Sequence, residues 1–243
     1  MRRELGAVVL AAGRGERLGG PVPKAYVPLA GKPLLLHSLE KFARFPPLCE
    51  IVLVIHPEDE ERFRTQVEPR IPLPAHVEFK RVYGGEHRQD SALAGVRAAS
   101  SEWVAVHDAA RPFFSLDLLE ALWEAVREHR AALPVLPVEE SLHELGPGEE
   151  RLLRPVDRSR LLRAQTPQCF ERRLLADALR EARRRGERFT DEAGAVLAYG
   201  GVSPFCVSGE EWNLKITTRW DLEAAEAWVQ AGLLPLDSLL PDA

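Results

Sequence analysis

The sequence predicts an α/β fold, a mostly parallel sheet with helices on both faces. Two observations carry that expectation. Short apolar runs bounded by turn residues alternate with helix-like segments through the first half of the chain, the rhythm of repeated strand–helix units. Those runs are apolar throughout, as strands covered on both faces must be. With 243 residues the chain can bury one full core, so a single domain over 1–243 is expected, two small domains being the alternative.

The first run, Leu5 to Ala12, stops at a glycine-rich segment holding Arg14, Arg17 and then Lys24. That order reads as a buried strand emptying into a loop whose amides and cations suit a phosphate. No Gly-Lys-Ser/Thr follows, so it is not a Walker A loop. Leu18 stands where a dinucleotide fingerprint needs its third glycine. By itself the segment also reads as a solvated basic turn.

Ile51 to Ile55 is a β-branched strand closed by His56-Pro57, with a helix-like stretch from Glu58 to Gln66 behind it. Val77 to Tyr83 alternates like a strand and ends at Gly84-Gly85. Asp90 or Ser91 then caps an alanine-rich helix to Ala99. Trp103 to Val106 is a short buried strand stopped by His107-Asp108. Ser115 caps a helix from Leu116 to His129, with Leu118, Leu119, Leu122 and Val126 on one stripe.

The rhythm breaks at about residues 134–168, which are rich in proline and short alternating segments, with a turn at Gly146-Pro147-Gly148. They read as an extended β-arm that cannot bury its own faces, hence a homodimer joined through the arm. Helices resume at Glu171–Arg185 and Asp191–Tyr199. A strand at Val202–Val207, the strand-like Asn213 to Thr217 and a helix at Asp221–Ala231 follow.

Composition excludes several classes. Hydrophobic residues make up 45% and charged residues 28%, ordinary for a globular enzyme, and the net charge of −5 argues against a nucleic-acid binder. Any anion site must be a local gathering of Lys and Arg. The three cysteines, Cys49, Cys169 and Cys206, are odd in number and far apart, which suits reduced thiols in a cytoplasm. Met1-Arg2-Arg3 before an apolar run imitates a signal peptide, but Glu4 and the basic loop behind the short run favour a first strand. No apolar stretch approaches the ~18 residues of a membrane span.

In open α/β sheets ligands bind beyond the carboxyl ends of the strands. Arg14 to Lys24, Gly84 to Glu86, Asp108 to Arg111 and Lys215 all follow predicted strands. Together they suit a polyphosphate with a divalent metal, Asp108 being the metal candidate. Asp108 also reads as a turn cap before Pro112, and His107 as a packed or hydrogen-bonded neighbour. Lys215 needs a counter-charge if buried and no explanation if exposed. Thr190-Asp191-Glu192 alone is an ordinary helix start with Thr190 as cap, and Arg158 beside Asp157 an ordinary ion pair.

Taken together, AAGRGERLGGPVPKAY, GGEHRQDS, VHDAARP, VDR, LLRAQTPQCF, FTDEA and NLKIT, in that order, resemble the 2-C-methyl-D-erythritol 4-phosphate cytidylyltransferases of the non-mevalonate isoprenoid pathway. The resemblance covers roughly residues 5–230. It implies a single Rossmann-like domain of the nucleotide-diphospho-sugar transferase type with a β-arm. The implied reaction transfers CMP from CTP to methylerythritol phosphate, releasing pyrophosphate with Mg²⁺ assistance. Arg17 and Lys24 would hold the CTP phosphates, and Lys24 and Lys215 the charge building on the α-phosphate. Ala11, Ala12, Gly13, Gly85, Glu86 and Ser91 would line the cytosine and ribose pocket. Asp108 would orient the metal or the substrate hydroxyls. Arg111 and Thr190 would hold the methylerythritol moiety, and Ser141 and Arg158, on the arm, would reach the neighbouring subunit's site.

Two positions depart from the family's commonest pattern: Ala25 stands for a glutamine and Ser141 for a threonine. Some members carry a fused cyclase domain, for which 243 residues leave no room. The nearest rival is a cytidylyltransferase for a pentitol phosphate such as ribitol 5-phosphate, and that choice rests on Arg111, Ser141, Arg158 and Thr190. A nucleotide-binding protein without catalysis is a further alternative; Lys24, Asp108 and Lys215 together speak against it.

Overall fold

Strand β1 (Leu5–Leu10) lies inside an eight-stranded sheet, between its two parallel neighbours. The computed structural model describes residues 4–234 apart from 16, 17, 21, 72, 147 and 149. A short hairpin, β2 (Pro28–Leu29) and β3 (Lys32–Pro33), leads into α1 (Leu34–Ala43). Then come β4 (Leu48–Ile55), α2 (Glu60–Gln66), β5 (Glu78–Tyr83), α3 (Arg88–Ala98), β6 (Trp103–Asp108) and α4 (Leu116–His129). The second half holds β7 (Ala131–Pro137), β8 (Leu142–Leu145), β9 (Leu152–Val156), β10 (Leu162–Ala164) and β11 (Gln168–Glu171). It ends with α5 (Arg172–Arg184), α6 (Glu192–Tyr199), β12 (Phe205–Ser208) and α7 (Arg219–Gln230).

The strand order is β10-β7-β11-β6-β1-β4-β5, with β12 also on β7. β6, β1, β4 and β5 are parallel, and β12 runs parallel to β7. Only β10 and β11 run against their neighbours. The sheet is mostly parallel, as expected.

Apolar runs such as β1 are continuous because both faces are covered. Ala7 and Val9 pack with α1 and α4 on one side, while Val8 packs with α3, α5 and α6 on the other. Gly95 makes the second contact possible, since a Cβ there would stand 2.4 Å from Val8 Cγ1. On the first side, Phe42 of α1 is fully buried against Phe114 and His107. Truncating such a ring costs about 3–5 kcal/mol. A third cluster joins Leu29, Leu34, Phe113 and Ile216 to Ala225 of α7.

Several local expectations need correction. α3 begins at Arg88 with His87 at its N-cap, so Asp90 and Ser91 lie inside the first turn. Asp191, not Thr190, caps α6, its carboxylate accepting from Gly194 N at 2.9 Å. α7 starts at Arg219 behind a Thr218–Asp221 capping box. The Asn213–Thr217 segment pairs with no strand and is held by side chains and one backbone bond, Ile216 N to the Ala110 carbonyl. Helix α1 was not anticipated from sequence.

Two stretches assigned to the arm belong to the main sheet. β7 pairs with β11 and β12, and β10 pairs with the far end of β7. The segment standing off is the hairpin β8–β9, whose strands pair only with each other.

Candidate functional site

β1 is followed by β4 and β5 on one side, whereas β6 lies on its other side. That reversal of strand order opens a crevice at the carboxyl ends of β1 and β6. A pocket of about 180 Å³ fills it, walled by Leu10, Ala11, Ala12 and Gly13 after β1 and by Asp108, Ala109 and Ala110 after β6. Gly85, Glu86, His87, Arg88 and Ser91 close it from the start of α3. Lys24, Ala25 and Lys215 complete the wall.

Lys24 reaches the pocket because the glycine loop doubles back. Gly15 has φ +67°, and a Cβ there would lie 2.4 Å from Lys24 Cβ. Arg14 is instead paired with Glu58 and is not part of the wall. Arg17 lies outside the described residues.

Ser91 shapes the opposite wall. Gly85 N donates to its hydroxyl at 3.2 Å, and the hydroxyl donates to the His87 carbonyl at 3.2 Å. Those two bonds fix the turn joining β5 to α3, and with it the backbone at Gly85 and Glu86.

Asp108 sits among cations. Lys215 Nζ donates to Oδ2 at 2.7 Å, and Arg88 Nε to Oδ1 at 3.0 Å. Burial alone would raise the Asp108 pKa, but the charges of Arg88, Lys215 and Arg111 outweigh it and hold the carboxyl well below its usual range. Arg88 in turn grips Glu192, donating from its two terminal nitrogens at 2.7 and 3.1 Å.

Behind Asp108 runs a hydrogen-bonded chain. The Arg111 carbonyl, 3.1 Å from His107 Nε2, can only accept, so Nε2 carries the ring proton. Nδ1 is then bare and accepts from the Thr166 hydroxyl at 3.1 Å, whose oxygen accepts Asp108 N–H at 3.1 Å. Burial pushes the His107 pKa down to about 3, so the ring is a neutral brace.

The loop carrying Lys215 lacks a strand partner and is anchored in other ways. Arg111 Nη1 donates to the Asn213 carbonyl at 2.7 Å, Asn213 Nδ2 to the Thr166 carbonyl at 3.0 Å, and Ile216 N to the Ala110 carbonyl at 2.9 Å. Arg111, expected to hold substrate, has one terminal nitrogen committed to this anchoring.

The expected pocket residues Ala11, Ala12, Gly13, Gly85, Glu86 and Ser91 thus meet around one cavity with Lys24, Asp108 and Lys215. Arg111, Ser141, Arg158 and Thr190 do not line it. The last three are exposed, Ser141 and Arg158 flanking the β8–β9 hairpin and Thr190 just before α6. Sequence reasoning missed Arg88, Glu192 and Thr166, while His107 is the packed, hydrogen-bonded neighbour it expected. Arg88 and Glu192 were legible only as members of GGEHRQDS and FTDEA. Among the described residues no cluster of three or more His, Cys, Asp or Glu gathers to hold a metal.

The family described as IspD: 2-C-methyl-D-erythritol 4-phosphate cytidylyltransferase matches residues 5–231. The 2-C-methyl-D-erythritol 4-phosphate cytidylyltransferase of Escherichia fergusonii is 40% identical over 225 residues, 92% of this chain and 92% of that one. The bifunctional enzyme IspD/IspF of Rhizobium etli is 38% identical over 237 residues, but the chain covers 57% of it, a little over half its length. The crystal structure of 2-C-methyl-D-erythritol 4-phosphate cytidylyltransferase from Thermus thermophilus superposes with a TM-score of 0.73 at 33% identity, covering 95% of this chain and 100% of that one. That of 4-diphosphocytidyl-2C-methyl-D-erythritol synthase from Anaerococcus prevotii superposes at 0.79 with 26% identity, covering 94% and 96%.

Proposed function

The chain belongs to the 2-C-methyl-D-erythritol 4-phosphate cytidylyltransferase family, and from that premise we propose that its pocket joins CTP to 2-C-methyl-D-erythritol 4-phosphate. The chemistry is nucleotidyl transfer in isoprenoid precursor synthesis. An oxygen of the acceptor phosphate attacks the α-phosphorus of CTP in line. The α–β bridging bond breaks, and pyrophosphate leaves with the bonding electron pair. The products are 4-diphosphocytidyl-2-C-methyl-D-erythritol and pyrophosphate.

One observation supports this most: Lys24 and Lys215, far apart in sequence, line the same crevice at the reversal of strand order. Such transfers depend on positioning and on stabilising charge at the equatorial oxygens, and two ammonium groups suit that task. An acceptor phosphate already ionised near neutral pH needs no general base. Lys24 and Lys215 take the α-phosphate charge, with Arg17 on the outer phosphates. Backbone groups of Ala11 to Gly13 and of Gly85 and Glu86, with Ser91, hold cytosine and ribose.

A divalent cation would take Asp108 as its carboxylate at the pocket wall, shared with the Arg88 and Lys215 cations already on its two oxygens. Mg²⁺ takes one or two carboxylates and draws its remaining ligands from phosphate oxygens and water, and Asp108 is kept ionised at the pocket wall. When bound, the ion would neutralise triphosphate oxygens. Asp108 itself holds Lys215 in place.

Arg111, Ser141, Arg158 and Thr190 form the acceptor side, completed when the arm of a second copy reaches the pocket in a homodimer. The exposed leucines of β8–β9 support that arrangement. The free thiols Cys49, Cys169 and Cys206 suit a cytoplasmic enzyme. No helix among the described residues is long and apolar enough to cross a membrane.

The test is product identification after incubation with labelled CTP, Mg²⁺ and either methylerythritol phosphate or ribitol 5-phosphate. Cytidylyl transfer to the first acceptor at far higher kcat/KM is expected. Preferential transfer to the pentitol phosphate would reassign the acceptor, and no pyrophosphate with either would leave a nucleotide-binding protein.

A further inference from the structure

Glu192 is a carboxylate with 1% exposure, the first residue of α6 and 104 positions from its partner Arg88. Burying an ion pair is poor stabilisation, because desolvation offsets most of the attraction. Its placement has a different consequence. Both Glu192 oxygens take the terminal nitrogens of Arg88, so the guanidinium is held as a plane with Nε directed at Asp108. Oδ1 of Asp108 is thereby fixed, leaving Oδ2 on Lys215 Nζ at 2.7 Å. We infer that Glu192 is a positioning residue for nucleotidyl transfer, setting through Arg88 and Asp108 where the Lys215 ammonium stands.

The geometry around Glu192 supports this role. Gln168 pins the start of α6, its Nε2 donating to Asp191 Oδ2 at 2.9 Å and its Oε1 accepting from Ala193 N at 3.0 Å. Gln168 is itself on β11, the direct neighbour of β6, which ends at Asp108. The carboxylate is therefore referenced to the same sheet that carries Asp108; burial raises its pKa, and the Arg88 charge and the helix N-terminus oppose that rise. Arg88 carries positive charge between two carboxylates. Without Glu192 it would be free to rotate and compete with Lys215 for Asp108.

This role rests on the cytidylyl-transfer reading, so the experiment measures the parent chain first. Failure of the parent to turn over CTP and methylerythritol phosphate would sink that reading itself. In an active parent background, Glu192→Gln keeps the shape of the side chain and removes its charge. The expected result is a fall in kcat of about 10- to 100-fold from displacement of Lys215, with KM for CTP changed less than about threefold. Glu192→Asp, which keeps the charge, should recover part of kcat. A second variant guards against misfolding. Arg88→Gln with Glu192→Gln removes both charges and leaves two amides able to pair, and it too should lose kcat while its melting transition stays cooperative. Parent-like kcat in either folded variant would overturn the role of Glu192, as would equal losses in kcat for Glu192→Gln and Glu192→Asp.

Discussion

The Lys215 ammonium donates to Asp108 Oδ2 at 2.7 Å across 107 positions of chain. Asp108 is thus one of the joints between the β6 end and the 213–217 segment, beside the Arg111–Asn213 and Ile216–Ala110 bonds.

Replacing Asp108 with Asn should release the Lys215 ammonium while those other joints remain. The amide keeps the shape but leaves Arg88 and Lys215 as neighbouring cations without a shared anion. Removing one member of such a buried set costs about 3 kcal/mol, read as a lower midpoint in urea denaturation. Turnover should fall by about 100-fold or more, since the ammonium loses its holder. A variant with parent stability and turnover would mean that Asp108 neither holds Lys215 nor serves the reaction.

Lys24→Ala and Lys215→Ala separate charge stabilisation from binding. Cations aimed at charge that develops only in the transition state lower kcat when removed, by about 10²–10³-fold for one good donor. KM for CTP should rise far less, by under about tenfold. Steady-state kinetics at saturating acceptor provide the measurement. Raised KM with intact kcat in both variants would make the lysines passive phosphate holders.

The sequence showed Lys24 through the glycine-rich segment that follows an apolar run, Lys215 through the family resemblance, and the fold class because unbroken apolar runs leave a recognisable rhythm. Helix α1 escaped notice for the opposite reason. Leu34 packs into the third cluster while Leu35, Leu36, Leu39 and Phe42 pack into the first, so it presents no clean polar face. The Asn213–Thr217 segment looked like a strand because Leu214 and Ile216 alternate with polar residues. Its backbone is in fact held by Arg111 and Asn213, bonds that no periodicity reveals. Glu192 was invisible as a site residue because an acidic residue in a first helical turn is expected everywhere. Only the fold brings Arg88 to it.

At the opposite end of β4 from the pocket, Glu50 gives the stability a pH dependence that catalysis does not share. Burial would raise its pKa, but Lys80 and the backbone amides of Ser100 and Ser101, with Ser100 Oγ, outweigh that and leave it at about 2. The ordinary value is 4.5, so the folded state holds its proton less tightly than the unfolded one. Stability from Glu50 is fully present above about pH 4.5 and is lost as pH falls toward 2, amounting to about 3 kcal/mol. Glu50→Gln should therefore be less stable than the parent by about that much at pH 7. The gap should narrow to under about half at pH 3 and close only below about pH 2, in urea titrations at each pH, while kcat at pH 7 stays unchanged. A gap independent of pH would show that shape, not charge, makes Glu50 matter.

The β8–β9 hairpin predicts the assembly. Leu145 and Leu152 are paired across the ribbon and Leu153 is the extra residue at a register irregularity beside them, yet they are 56%, 63% and 58% exposed. One end of a two-stranded ribbon therefore exposes three leucines, and an isolated ribbon is marginal in water. In the proposed homodimer a second copy of the chain would cover such a surface by symmetry. Sedimentation should show a dimer for the parent at micromolar concentration. Leu152→Glu with Leu153→Glu should dissociate it, since burying a carboxylate without a partner is prohibitive. Because Ser141 and Arg158 flank the hairpin, the dissociated variant should bind acceptor worse while retaining its affinity for CTP. A parent that sediments as a monomer with full turnover would remove the arm from both assembly and acceptor recognition.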